Sequence, residues 1–170
     1  VGVVDADVGL GLPDYTSPER TYQLLSQVSG RAGRRAEQGK AFIQTYQPDD
    51  PAIVAAANHD YRGFYEYELA HRRHASYPPF ARLVRLTVRH GVEEQGQAEA
   101  SRMAEDLRAR RTLAGRADPE IRGPVPSYIR RLRGDYRWHI LVRGRNPAEF
   151  LEGFKFGTRW TVDIDPAGLL

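Results

Sequence analysis

Gln27, Gly30, Arg31, Gly33 and Arg34 fall in one eight-residue run, QVSGRAGR, of the form Q-x-x-G-R-x-G-R. Two arginines three residues apart, each beside a glycine, can converge on one anionic group. Guanidinium forks match phosphate oxygens in a bidentate way. An arginine that reaches a transferring γ-phosphate recurs in nucleoside-triphosphate hydrolysis. The same residues also suit a plainer role, a helix end closed by a glycine with its arginines in solvent.

A second cluster lies towards the other end. Residues 122–145 hold seven arginines against Asp135 alone. Arg130, Arg131, Arg133, Arg137 and Arg143 surround Tyr128, Tyr136 and Trp138. Arginines track phosphates and aromatic faces stack unpaired bases, so this pattern predicts nucleic-acid contact, Tyr136 included. Strand alternation puts Arg137, His139 and Leu141 on one face and Tyr136, Trp138, Ile140 and Val142 on the other. Trp138 therefore reads as core, and the arginines read either as DNA contacts or as a solvated, ion-paired face. No base-reading motif is present, so binding should follow DNA structure and fall with salt.

Composition narrows the classes. The 170 residues suit one compact domain or two small ones. Net charge is +3, but residues 1–50 carry five Lys/Arg against seven Asp/Glu and residues 80–170 carry seventeen against twelve. Nearly all the positive charge is arginine, which a genome-wide bias could also produce, so the clustering counts and the excess does not. There is no cysteine, hence no disulfide and no thiolate site. His59, His71, His74, His90 and His139 lack the spacing of a zinc site, and no metal is expected. No run is apolar enough to cross a membrane and no signal peptide is visible. The chain opens on an apolar run without Met, as a piece of a longer protein would.

The elements that must position these clusters can be placed. Residues 1–4 read as a buried parallel strand, residues 6–17 as loop. Thr16 and Glu19 form a capping-box pattern that starts a helix with Tyr22, Leu25 and Val28 on one face, ending near Ser29 or Gly30. Residues 40–46 read as a strand with Phe42 in the core. Strand, loop, helix and strand here are what remains of an α/β lobe. A boundary falls at Gln47 to Pro51, and helices follow over residues 52–57 and 60–75, with an aromatic stripe of Tyr61, Phe64, Tyr65 and Leu69 that reads as core. Tyr77-Pro78-Pro79-Phe80 cannot stay helical and marks the next boundary. Beyond it come a strand (80–89), a helix (93–113), short strands (120–122, 129–132, 136–143) with a break at residues 123–126 and a turn at Arg133-Gly134-Asp135, a helix (147–156) and a strand (159–165). The order β-α-β-β-α-β is that of a small ferredoxin-like α+β domain.

The run Q-x-x-G-R-x-G-R resembles motif VI of superfamily 2 helicases. Together with VGVVDADVGLGLPDYTSPERTYQLLS before it, and IQTYQP, HDY, FYEYELAHRR, YPPF and RLRGDYRWHILV after it, the chain resembles the C-terminal end of the primosomal protein N′ family of replication-restart DNA helicases. The resemblance covers nearly the whole chain. It implies that residues 1–47 end a RecA-like second motor lobe, 48–79 form a helical connector and 80–170 a DNA-binding domain. It implies ATP with Mg²⁺ as cofactor, Arg34 as the transition-state contact, Arg31 as a phosphate or inter-lobe contact and Gln27 as the link from nucleotide to lobe closure. Gly30 and Gly33 would lie against the nucleotide. Movement would run 3′ to 5′ on branched or single-stranded DNA, with single-strand binding protein and other primosome proteins as partners, in a bacterial cytoplasm at the nucleoid. The zinc of that family belongs to an upstream domain, as do the phosphate loop and acidic Mg²⁺ motif that this sequence lacks, so the piece alone should not hydrolyse ATP. A non-enzymatic fork-binding scaffold with a vestigial motor, or a purely structural domain, stays open at this stage.

Overall fold

The computed structural model describes residues 1–32 and 40–170. They form two compact units, Val1–His74 and Ala75–Leu170. Both mix helices and sheet.

In the first unit, β1 (Gly2–Val3) pairs in parallel with β2 (Phe42–Ile43). A short helix α1 (Asp7–Leu10) occupies part of the stretch that composition marks as loop. Helix α2 (Ser17–Ala32) follows. Its start differs from a capping box. The Asp14 carboxylate accepts from the Thr16 backbone N–H at 3.0 Å and the Thr16 hydroxyl at 2.9 Å. Glu19 instead accepts from Arg72 at 2.8 Å and Gln23 at 3.1 Å.

Helix α3 (Pro51–Ala57) is capped by Asp50, which accepts from the Ala52 N–H at 2.8 Å. Helix α4 (Tyr61–His74) closes the unit. Ala6, Tyr22, Leu25, Ile53, Ala56 and Phe64 share one core, so α3 and α4 pack in the same unit as α2. Tyr22 and Phe64 stack with ring centroids 4.4 Å apart. Three sequence expectations about burial fail here. The strand expected to be buried over residues 1–4 leaves Val1 and Val4 exposed. Phe42 is exposed and Ile43 faces the core, because the two-residue strand turns alternate side chains to opposite sides. Of the aromatic stripe only Phe64 is buried, since Tyr61 and Tyr65 sit round the helix from it.

The second unit runs β3 (Arg82–His90), α5 (Glu93–Leu113), β4 (Glu120–Leu132), β5 (Asp135–Gly144), α6 (Pro147–Phe150) and β6 (Trp160–Ile164). The four strands make one sheet in the order β4-β5-β3-β6, with every neighbouring pair antiparallel. Val84 and Leu86 of β3, Ile140 and Val142 of β5, Ala104 and Leu107 of α5 and Phe150 of α6 form one core on one face of the sheet. Val88, Ala100 and Trp138 extend it. Gly96 of α5 makes that contact possible, since a Cβ there would lie 3.3 Å from the Trp138 ring and 3.0 Å from His90.

Two boundaries move. β4 is one strand through Pro124 and Pro126, where a break was expected, with register shifts between Arg122 and Val125 and between Pro126 and Arg131. It is an edge strand, so its prolines can omit a ladder hydrogen bond without cost to a second neighbour. α6 ends at Phe150 rather than running to residue 156, and Gly153 follows at φ +81°, the left-handed geometry that stops helices. Phe154 and Phe156 then pack back against the core beside Trp160.

Candidate functional site

The first cluster sits at the end of α2. Gln27 and Arg31 are both exposed and lie four residues apart, hence on one helix face. Gly30 is inside the helix, beyond the end that its glycine suggested, and a Cβ built there meets nothing within 4 Å. Among the described residues no neighbour requires a glycine at that position. Gly33 and Arg34 lie outside the described residues, so the motif is seen only through Gln27, Gly30 and Arg31.

The rest of the first unit holds this helix in place. Arg72 of α4 donates to Glu19 of α2 and to Glu68 of α4, both at 2.8 Å, and lies over the Tyr15 ring at 5.4 Å. Burial works against its charge, but its hydrogen bonds to Glu68 and Glu19 prevail and raise its pKa. Asp7 braces the turn after β2, accepting from the Tyr46 N–H and the Thr45 hydroxyl at 2.9 Å and from Gln47 at 3.2 Å. The Tyr46 N–H does most to hold its carboxyl below the ordinary value. Asp5 accepts from the Asp7 N–H at 3.0 Å. Both aspartates at this strand end thus organise the loop.

The second cluster divides. Arg143 is not on the surface: its side chain is 7% exposed, paired with Glu120, donating to the Ala75 carbonyl and stacked 5.2 Å over Tyr77. Although burial pushes the Glu120 carboxyl up, hydrogen bonds from Arg122 and Arg143 hold it below its ordinary range. Arg130 is exposed but donates to Glu93 of α5 at 2.5 Å. Arg131 and Arg133 frame the tip of the β4–β5 hairpin. Leu132 and Asp135 pair across it, and the two turn residues have positive φ, 53° at Arg133 and 94° at Gly134, the signature of a type I′ turn. Arg131 lies 5.1 Å over the Tyr136 ring and covers one of its faces. Tyr128 is the more open aromatic, at 62% exposure beside exposed Ile129.

Arg137 points to the sheet face opposite the helices, as alternation predicts, because its neighbour Trp138 belongs to the core. Two residues that sequence reasoning did not single out accompany it. Arg89 of β3 stands directly opposite Arg137, and Arg85 lies two rows along the same face. Between them Thr87 Oγ1 and His139 Nδ1 are 2.9 Å apart and buried. Burial first, then Arg85 and Arg137, push His139 down to about 4. Only strand register could have revealed this grouping, since Arg85 and Arg89 are about fifty residues from Arg137.

Among the described residues no group of His, Asp and Glu is placed to hold a metal ion, and no helix is long and apolar enough to cross a membrane.

Residues 73–167 match the family model described as primosomal protein N C-terminal domain. The chain belongs to the primosomal protein N family. Its match to that family includes the whole of the four-stranded sheet with its arginines. Among curated relatives, the replication restart protein PriA of Bacillus subtilis is 43% identical over 143 residues, 84% of this chain and 17% of that protein. The protein of the same name from Synechocystis is 44% identical over 147 residues, 84% of this chain and 17% of its own length. That from Treponema pallidum is 34% identical across all of this chain and 27% of its own length. The chain thus spans about a sixth to a quarter of these relatives.

Proposed function

We propose that this chain is the C-terminal part of an ATP-dependent DNA helicase that restarts replication at stalled forks. The observation that carries the reading is family membership over the sheet domain, joined to a hairpin that presents Arg131 and Arg133 beside an open Tyr128. Residues 1–47 would complete a RecA-like motor lobe, 48–79 connect, and 80–170, ferredoxin-like in order, bind branched or single-stranded DNA. Primosome proteins and single-strand binding protein would be the partners, in the bacterial cytoplasm.

Bound ATP with Mg²⁺ supplies the free energy of translocation. In this chain Arg34 would neutralise charge growing on the γ-phosphate, where an arginine is worth about a thousandfold or more in rate. Arg31, exposed on the last turn of α2, would meet a phosphate or the facing lobe. Gln27, one turn earlier, would carry nucleotide state into lobe closure. On the DNA side Arg131, Arg133 and Arg137 would neutralise phosphates and Tyr128 or the open face of Tyr136 would stack a base. Arg143 is left out of this set, and Arg130 would have to leave Glu93 to join it.

The motor half is tested in the full-length parent. Arg34→Ala should cut DNA-stimulated ATP hydrolysis about a thousandfold while leaving nucleotide binding in place. Hydrolysis unchanged by Arg34→Ala would remove Arg34 from the γ-phosphate, and hydrolysis absent from the wild-type parent would leave a DNA-binding scaffold instead.

A further inference from the structure

Arg89 and Arg137 stand directly opposite each other across β3 and β5. Like charges directly opposite on a sheet destabilise it. Among the described residues neither has an ion-pair partner, whereas Arg85 on the same face is held by Asp163 at 2.8 Å. The Nε of Arg137 is buried without an acceptor, and so is that of Arg85. Burial first, then Arg89 and Arg85, pull the Arg137 pKa down, so the fold carries an unfavourable charge contact at this point.

The surroundings are those of an anion site. A cavity of about 310 Å³ opens beside Arg89, with Thr158, Arg159 and Thr161 in its wall and Asp135 as the one carboxylate among its described lining residues. Thr161 of β6 lies opposite Thr87, which bonds His139, and this neutral polar row separates the arginine pair from Arg85. Rows on one face are two residues, about 7 Å, apart along a strand. A polyanion laid along β3 and β5 would meet the Arg89–Arg137 pair, then the Thr87–His139 row, then Arg85.

We propose that this helix-free sheet face, through Arg89 and Arg137, grips the phosphodiester backbone of a DNA strand. The inference rests on the reading of residues 80–170 as a DNA-binding domain and moves the grip from the hairpin tip to the sheet. A phosphate between the two guanidiniums relieves their repulsion and needs no carboxylate nearby. The hairpin arginines then act at the edge of a track and are not its centre.

The test uses the 170-residue chain as wild type, Arg89→Gln, Arg89→Gln/Arg137→Gln and Arg131→Gln/Arg133→Gln. Each is melted alone and with inorganic pyrophosphate, and titrated with a fluorescent oligo-dT across salt. Arg89→Gln, an exposed residue freed of repulsion, should melt no lower than wild type. The Arg89/Arg137 pair variant should lose about tenfold or more in oligo-dT affinity and shed about 1.4 from the salt slope, the share of two single-strand phosphates. The hairpin variant should lose less. Wild-type affinity and slope in the pair variant, with binding lost in the hairpin variant, would overturn the proposal and keep the DNA-binding reading. Stabilisation by pyrophosphate without oligo-dT binding would make the site one for a compact anion and overturn it. A large drop in melting temperature for Arg89→Gln would make the pair structural and overturn it. Failure of wild type to bind oligo-dT at low salt would sink both readings.

Discussion

Arg143 of β5 and Glu120 of β4 stand directly opposite each other, and Arg143 Nε donates to the Glu120 carboxylate at 3.1 Å. The same guanidinium donates to the Ala75 carbonyl and covers the Tyr77 ring. One arginine thus fastens the segment before β3 to the edge of the sheet. Arg143→Ala would leave Glu120 with Arg122 alone and the Ala75 carbonyl without this donor. A loss of about 1–2 kcal/mol is expected by urea denaturation. DNA affinity at a temperature where the variant is folded should stay within about twofold. A stable variant with DNA binding lost would return Arg143 to the interface.

The turn at Arg133-Gly134 sets a tension between stability and charge. Arginine is an uncommon residue at φ 53°, where Asn-Gly is the favoured pair. Arg133→Asn should therefore stabilise the unit by about 0.5–1 kcal/mol and lower the salt slope of DNA binding by about one phosphate. Thermal melts and salt titrations of one protein sample measure both. A destabilised variant would refute the turn assignment.

Gly30 sits in α2 with open space where a Cβ would go. Glycine inside a helix costs about 0.5–1 kcal/mol relative to alanine. Gly30→Ala should raise the stability of the first unit by that amount. In the full-length parent the same change should lower ATP hydrolysis, because the methyl would occupy space that the facing lobe or nucleotide needs. Unchanged hydrolysis would reduce Gly30 to a residue without a role in the motor.

His139 gives the second unit a pH dependence with a definite sign. Its folded value near 4 lies below the ordinary 6.5, so the unfolded chain takes up the proton first. The stability it contributes is complete above pH 6.5 and is lost as pH falls from there towards 4, by up to about 3 kcal/mol. The carboxyls of Asp165, held down chiefly by Arg82, and of Glu120 are lost at still lower pH. Urea midpoints between pH 6.5 and 4.5 should fall for wild type and stay flatter for His139→Gln. Parallel curves would mean that His139 takes up its proton equally in the folded and unfolded chain.

Much of this arrangement is legible before any coordinates. Alternation in residues 84–88 and 138–142 assigns Val84, Leu86, Val88, Trp138, Ile140 and Val142 to the core, and all are buried. The spacing of Ala100, Ala104 and Leu107 marks the inner face of α5 in the same way. What escapes the sequence is what neighbours decide. Pro124 and Pro126 look like a break until β4 is known to be an edge. Phe42 outranks Ile43 in size, and only the pairing of Gly2 with Phe42 fixes which of them turns inward. Arg143 and Arg137 look alike in a basic run, yet Glu120 takes the one and Arg89 crowds the other. Both partners belong to strands distant in sequence, so composition cannot tell a structural arginine from a free one.

The most direct test of DNA recognition by residues 80–170 is titration of the 170-residue chain, wild type and Arg131→Ala/Arg133→Ala/Arg137→Ala, against fluorescent forked DNA at several salt concentrations. Binding that weakens steeply with salt and collapses in the folded triple variant is the expected result. Wild-type binding by that variant, or none by wild type at low salt, would contradict it.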